Sequence, residues 1–207
     1  EGAGLLVYSA AVAAEDPERA RAAQLQVPQM ERAVLLGALM EGYELSVCVC
    51  GTHGKTTTTA MLAQALTQAG LDPAVHLGGS LDAIGGSVRA GGGSVFVAEA
   101  CEFNRSFLHM PVSLALVLNI EEDHLDCYGD MEHVEGAYLE FLSRLPPDGK
   151  VLANGEDSRV ARVLGKLERQ RRVFRTFGLK PQNDYYPGGL SYDGKGCASF
   201  TVMKKDT

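Results

Sequence analysis

The run Ser46-Val-Cys-Val-Cys-Gly51-Thr52-His53-Gly54-Lys55-Thr56-Thr57-Thr58-Thr59 constrains this chain more than any other segment. An apolar stretch passes through two glycines straight into a threonine-rich helix start, so a buried strand must turn sharply and release a helix from its carboxyl end. Glycines let backbone N–H groups turn inward around an anion, and a helix N-terminus adds a favourable dipole. Lys55 supplies a point charge and Thr56 a hydroxyl suited to Mg2+. The residues Gly51, Thr52, His53, Gly54, Lys55, Thr56 and Thr57 are therefore candidates for holding phosphates. The usual phosphate loop has a glycine where this chain has Val49, so a shorter loop is predicted. A plain glycine turn capped by threonines would not need a lysine directly after the second glycine.

Strand, loop and helix units alternate around this segment. Strands are predicted at 45–50, 74–77, 94–98, 112–119, 150–153 and 172–177, and helices at 55–69, 131–145 and 156–168. That alternation implies an α/β fold, a mostly parallel sheet flanked by helices, with ligands at the carboxyl ends of its strands. Ahead of it, Leu5–Ser9 reads as a strand and Asp16-Pro17 as a helix start. A further helix over Glu31–Met40, ended by Gly42, completes what reads as the end of a preceding α/β domain. Gly78–Gly93 contains seven glycines and predicts either a mobile loop near a ligand or a plain connector. Tyr185–Thr207 carries Gly188-Gly189 and Asp193-Gly194 between β-prone runs and predicts a hairpin.

Composition narrows the function classes. With 45% hydrophobic and 22% charged residues in 207, the chain can bury a core and is not a disordered segment. A net charge of -7 without a basic stripe argues against nucleic acid as a partner, and Arg169–Arg172 reads as a solvated helix end. Five cysteines, an odd number, fit neither a disulfide framework nor a paired zinc pattern; a reducing, cytoplasmic setting suits them. Cys48 and Cys50 read as small buried side chains. The apolar opening Gly2–Ala14 fails as a signal peptide because no basic region precedes it and the chain begins at Glu1. No run is long enough for a membrane span, so no membrane partner is expected.

Two further constellations carry chemistry. Val95-Phe-Val-Ala-Glu99 is an apolar strand that delivers a carboxylate to the sheet's edge, where phosphoryl-transfer sites orient Mg2+. Asn119-Ile-Glu-Glu-Asp-His124-Leu-Asp126 sets one imidazole among four carboxylates, which is either a metal or proton-transfer site or a solvated acidic turn.

Taken in order, Gly51–Thr59, Glu99-Ala-Cys-Glu-Phe-Asn-Arg-Ser-Phe-Leu108 and Asn119-Ile-Glu-Glu-Asp-His-Leu-Asp-Cys-Tyr128 resemble the Mur ligase family. The resemblance is nearest to those members that join L-alanine to UDP-N-acetylmuramate in peptidoglycan precursor synthesis. It implies ATP phosphates in the loop, with Lys55 on the terminal phosphates and Thr56 on Mg2+. Glu99 and His124 would hold a second Mg2+, with Mn2+ as a substitute, near the γ-phosphate and the substrate carboxylate. Lys55, Glu99 and His124 are thereby the implied catalytic residues, and Glu99 and His124 are expected to meet at one edge of the sheet. The implied reaction passes through an acyl phosphate that the alanine amine attacks. Residues 1–42 would be the end of a UDP-binding domain and 43–207 a central ATP-binding domain cut short at its C-terminal end. The family's modified lysine has no counterpart, since no Lys lies between Lys55 and Lys150. The nucleotide-sugar loop and the C-terminal domain are also missing, so the fragment alone is expected to be inactive. A ligase that adds a preformed peptide to the same sugar nucleotide, or a nucleotide-binding module without turnover, remain the alternatives.

Overall fold

The computed structural model of the chain describes residues 2–123 and 125–205. Strand β1 (Leu6–Tyr8) runs parallel to β2 (Gln29–Glu31), and helix α1 (Pro17–Gln24) connects them. The expected helix start is present: Pro17 takes the first position and the Asp16 carboxylate accepts the Glu18 N–H at 2.9 Å. β2 was not legible, because three residues are too few to establish a period. It also moves the next helix, α2 (Arg32–Met40), one residue later than the pattern suggests.

The remaining elements form one layered unit. In chain order they are β3 (Leu45–Cys50), α3 (Lys55–Gln68), β4 (Ala74–Leu81), a 3-10 turn (Asp82–Ile84), β5 (Gly86–Arg89) and β6 (Val95–Ala100). A 3-10 segment (Phe103–His109), β7 (Leu114–Val117), α4 (Leu125–Tyr128) and α5 (Met131–Ser143) follow. β8 (Lys150–Asn154), α6 (Ser158–Arg169), β9 (Phe174–Phe177), β10 (Tyr185–Tyr192) and β11 (Ala198–Lys204) complete the described chain. The sheet order is β11-β10-β9-β8-β7-β3-β6-β4-β5, parallel from β10 to β4 and closed at each edge by an antiparallel strand. The α/β class and the terminal hairpin match the expectation.

The chain leaves β3 toward β4 on one side and later crosses back to β7 on the other. β3 therefore sits where successive connections part, the position at which open α/β sheets bind ligands. α3 covers one face, with Leu62 and Leu66 against Val47, Val95 and Val97. The other face buries Leu36 and Met40 of α2 together with Phe107, Tyr138 and Phe141, and the ring of Phe107 stacks on Phe141 at 4.7 Å.

Three expectations need correction. The strand predicted over 112–119 spans only Leu114–Val117, because the chain leaves the ladder after Leu118 and turns toward the phosphate loop. The strand predicted over 172–177 begins at Phe174. Gly78–Gly93 is neither a mobile loop nor a plain connector: β4 continues to Leu81 and pairs antiparallel with β5. Glycine enters that strand for lack of room. A Cβ on Gly78 would lie 2.8 Å from a Glu99 carboxylate oxygen, and one on Gly79 would lie 3.1 Å from the Thr56 methyl.

Candidate active site

The loop's shape follows from its two glycines and from the segment that braces it. Gly51 has φ 144°, and a Cβ there would come within 3.1 Å of the Asn119 backbone nitrogen. Gly54 has φ 84°, caps α3 in the left-handed region and brings no capping side chain, so the first N–H groups of α3 face outward for an anion. Asn119 grips His53 twice, accepting its N–H at 2.8 Å and donating to its carbonyl at 3.0 Å. The Thr52 hydroxyl accepts the Glu121 N–H at 2.8 Å. The bracing fixes the backbone of Thr52 and His53, whereas the His53 imidazole is 68% exposed and lies 3.6 Å from Glu121. Thr57 is exposed on the first turn of α3.

Thr56 and Glu99 meet behind this rim. The Thr56 hydroxyl donates to Glu99 Oε1 at 2.7 Å, and the Gly78 N–H donates to Glu99 Oε2. Glu99 is buried at the carboxyl end of β6, and the glycine pair of β4 forms the wall beside it. A hydroxyl and a carboxylate are hard oxygen donors, so this pair fits Mg2+, whose remaining positions water and phosphate oxygens fill. Among the described residues no group of three or more His, Cys, Asp and Glu is arranged to hold a metal ion. His124 lies outside the described residues.

One residue of this site was not singled out from the sequence. Glu102 is 2% exposed, and both of its carboxylate oxygens accept from Lys55 Nζ, at 3.2 and 3.1 Å. Lys55 Nζ also donates to the carbonyls of Gly51 at 2.5 Å and Thr52 at 3.1 Å. Tyr128 donates its hydroxyl to the Glu102 carbonyl at 2.5 Å. Burial, followed by the nearby Glu102 carboxylate, pushes the Tyr128 phenol up to about 12, so it stays a donor across the physiological range. The available signal was the spacing Glu99-Ala-Cys-Glu102, which places a second acid just past the strand end where the chain turns.

Comparison with known proteins identifies the family and the fold. Residues 49–207 match the Mur ligase middle domain. The UDP-N-acetylmuramate--L-alanine ligase of Acetivibrio thermocellus is 46% identical over 98% of this chain and 43% of its own length. That of Caldanaerobacter subterraneus subsp. tengcongensis is 41% identical over 97% of this chain and 43% of its own. The chain thus spans under half the length of these curated relatives. Among solved structures, the UDP-N-acetylmuramate-alanine ligase of Thermotoga maritima superimposes with a TM-score of 0.81 at 27% identity, covering 97% of this chain and 44% of that one. The UDP-N-acetylmuramate:L-alanyl-gamma-D-glutamyl-meso-diaminopimelate ligase of Neisseria meningitides gives 0.79 at 25% identity, covering 96% and 64%. No helix among the described residues is long and apolar enough to cross a membrane. With a family match over residues 49–207 and 46% identity to a relative across 98% of the chain, this protein belongs to the Mur ligase family.

Proposed function

We propose that these residues form the ATP-binding part of a ligase that joins L-alanine to UDP-N-acetylmuramate through an acyl phosphate. The observation that carries this reading is the Thr56–Glu99 contact of 2.7 Å at the start of α3, beside the loop that holds Lys55. A hydroxyl and a carboxylate in contact beside an ammonium group are a set of groups suited to a triphosphate meeting an incoming carboxylate. That encounter sets two anions against each other, and fixed positive groups aimed at the developing charge lower its barrier.

In this reading Gly51–Thr57 holds the phosphates through its N–H groups, and Lys55 neutralises the terminal ones. Thr56 and Glu99 would hold Mg2+, with His124 the further candidate ligand; when bound, the ion screens the charge between the phosphates and the substrate carboxylate. One carboxylate oxygen attacks the γ-phosphorus and ADP departs, leaving a mixed anhydride. The alanine nitrogen then attacks the carbonyl carbon, loses a proton, and inorganic phosphate leaves with that oxygen. Residues 1–42 would close a UDP-binding domain, with α2 joining it to the core of the ATP domain at 43–207. A cytoplasmic location fits a nucleotide-linked substrate and unpaired cysteines.

Oxygen labelling tests the chemistry in a protein of the relatives' full length that carries these residues. With 18O in the muramyl carboxylate, one labelled oxygen should appear in the released phosphate when L-alanine is present. Unlabelled phosphate would rule out the acyl phosphate. Label transfer only with a preformed peptide would favour the peptide ligase instead.

A further inference from the structure

We propose that Glu102 is a positioning residue for the phosphate-loop lysine: it holds the Lys55 ammonium group and competes with bound phosphates for it. The proposal rests on the reading that residues 51–57 take the phosphates of a bound nucleotide.

An ammonium group has three N–H donors. In Lys55 they face the Gly51 carbonyl at 2.5 Å, the Thr52 carbonyl at 3.1 Å and the Glu102 carboxylate at 3.1 Å. Every donor is thus committed inside the protein, and an arriving phosphate must displace at least one acceptor. The strongest competitor is the carboxylate, because it carries a full charge at contact distance in a setting with little water: the two side chains are 16% and 3% exposed.

The two partners differ in freedom. The backbone of Glu102 is tied down, its carbonyl accepting the Arg105 N–H at 2.9 Å and the Tyr128 hydroxyl at 2.5 Å. The chain beyond it is locked in a tight turn, with Asn104 and Arg105 at φ 50° and 56°. Lys55 instead carries its charge on a flexible four-carbon stem. The exchange is therefore a swing of the lysine away from a fixed acid. A purely structural role explains the pair less well, since a buried ion pair adds little net stability over a well-packed apolar pair.

Glu102→Gln keeps the shape and removes the charge, so two effects of opposite sign are expected. Nucleotide should bind tighter, on the order of tenfold, because its competitor for Lys55 is gone. Turnover in a protein of the relatives' full length should fall, on the order of tenfold, because nothing aims the lysine between cycles. MgADP is titrated calorimetrically into the chain as wild type, Glu102→Gln and Lys55→Ala. The expected order of affinity is Glu102→Gln above wild type above Lys55→Ala. Unchanged or weaker binding by a Glu102→Gln variant that melts like wild type overturns the proposal. Should that variant fail to fold, the wild-type protein carries the test by NMR of the Glu102 side-chain carboxyl carbon. A large shift on saturation with MgADP reports loss of its lysine partner, and an unmoved signal overturns the proposal. Absence of any MgADP binding by the wild type would fail the loop reading itself, and this inference with it.

Discussion

The middle of the sheet and its β9–β11 end obey different rules although they share one hydrogen-bonded ladder. In β3 and β6 nearly every residue is buried, and both strands are apolar apart from Ser46 and Glu99. Burial then thins outward, alternating in β8, partial in β9 and lost along β11, where every residue is exposed. The described chemistry sits wholly at the first kind of strand. Glu99 and the phosphate loop leave strands that are packed on both faces, and such strands hold a side chain to the precision a reacting site needs.

Substituting one phenylalanine in each region probes the contrast most strongly. Phe107→Ala should cost about 3–5 kcal/mol, since the ring is fully buried against Tyr138 and Phe141. Phe200→Ala, at a residue 54% exposed on β11, should stay within about 0.5 kcal/mol. Denaturant melts of the two variants would break the comparison if their losses were equal.

Lys55→Ala comes next in size. Loss of one phosphate-directed charge should lower turnover on the order of a hundredfold, and because it leaves the buried Glu102 carboxylate without its ion-pair partner, the melting temperature should fall as well. Normal turnover would remove the loop from the mechanism. Gly78→Ala is subtler, because the added methyl would press on the Glu99 carboxylate. A rise on the order of tenfold in the Mg2+ concentration needed for activity is expected, on the scale set by loss of support around a metal ligand.

The smallest effect belongs to the β9–β10 end. Burial raises the Asp184 carboxyl, but the Thr176 N–H and hydroxyl together with Arg175 outweigh it and hold the group below its ordinary value. A depressed folded-state value means that its contribution is present above the ordinary aspartate value of 3.8 and is lost as pH falls through the folded one. Wild type should therefore exceed Asp184→Asn in melting temperature at neutral pH, and the gap should close in acid. A gap that widens in acid would reverse the assignment.

These regions also differed in how far the sequence could be read. β3, β6 and the turn between β3 and α3 were legible because strong patterns coincide there: apolar runs, glycines and a lysine before a hydroxyl. The β4–β5 hairpin was not, since Gly78 and Gly79 reflect the closeness of Glu99 and Thr56, which no local rule supplies. Glu102 was missed for a similar reason. Its meaning depends on Lys55, 47 positions earlier in the chain and adjacent only after folding. The terminal hairpin was read correctly from its turns, although little of it is buried.

The most direct test of the phosphate site is a crystal structure of the chain with Mn2+ and a non-hydrolysable ATP analogue, with the cation located by its anomalous signal. Phosphates should lie within the 51–57 loop, and manganese about 2.1 Å from Thr56 Oγ1 or a Glu99 carboxylate oxygen. Manganese distant from both residues, or phosphates bound outside the loop, would contradict it.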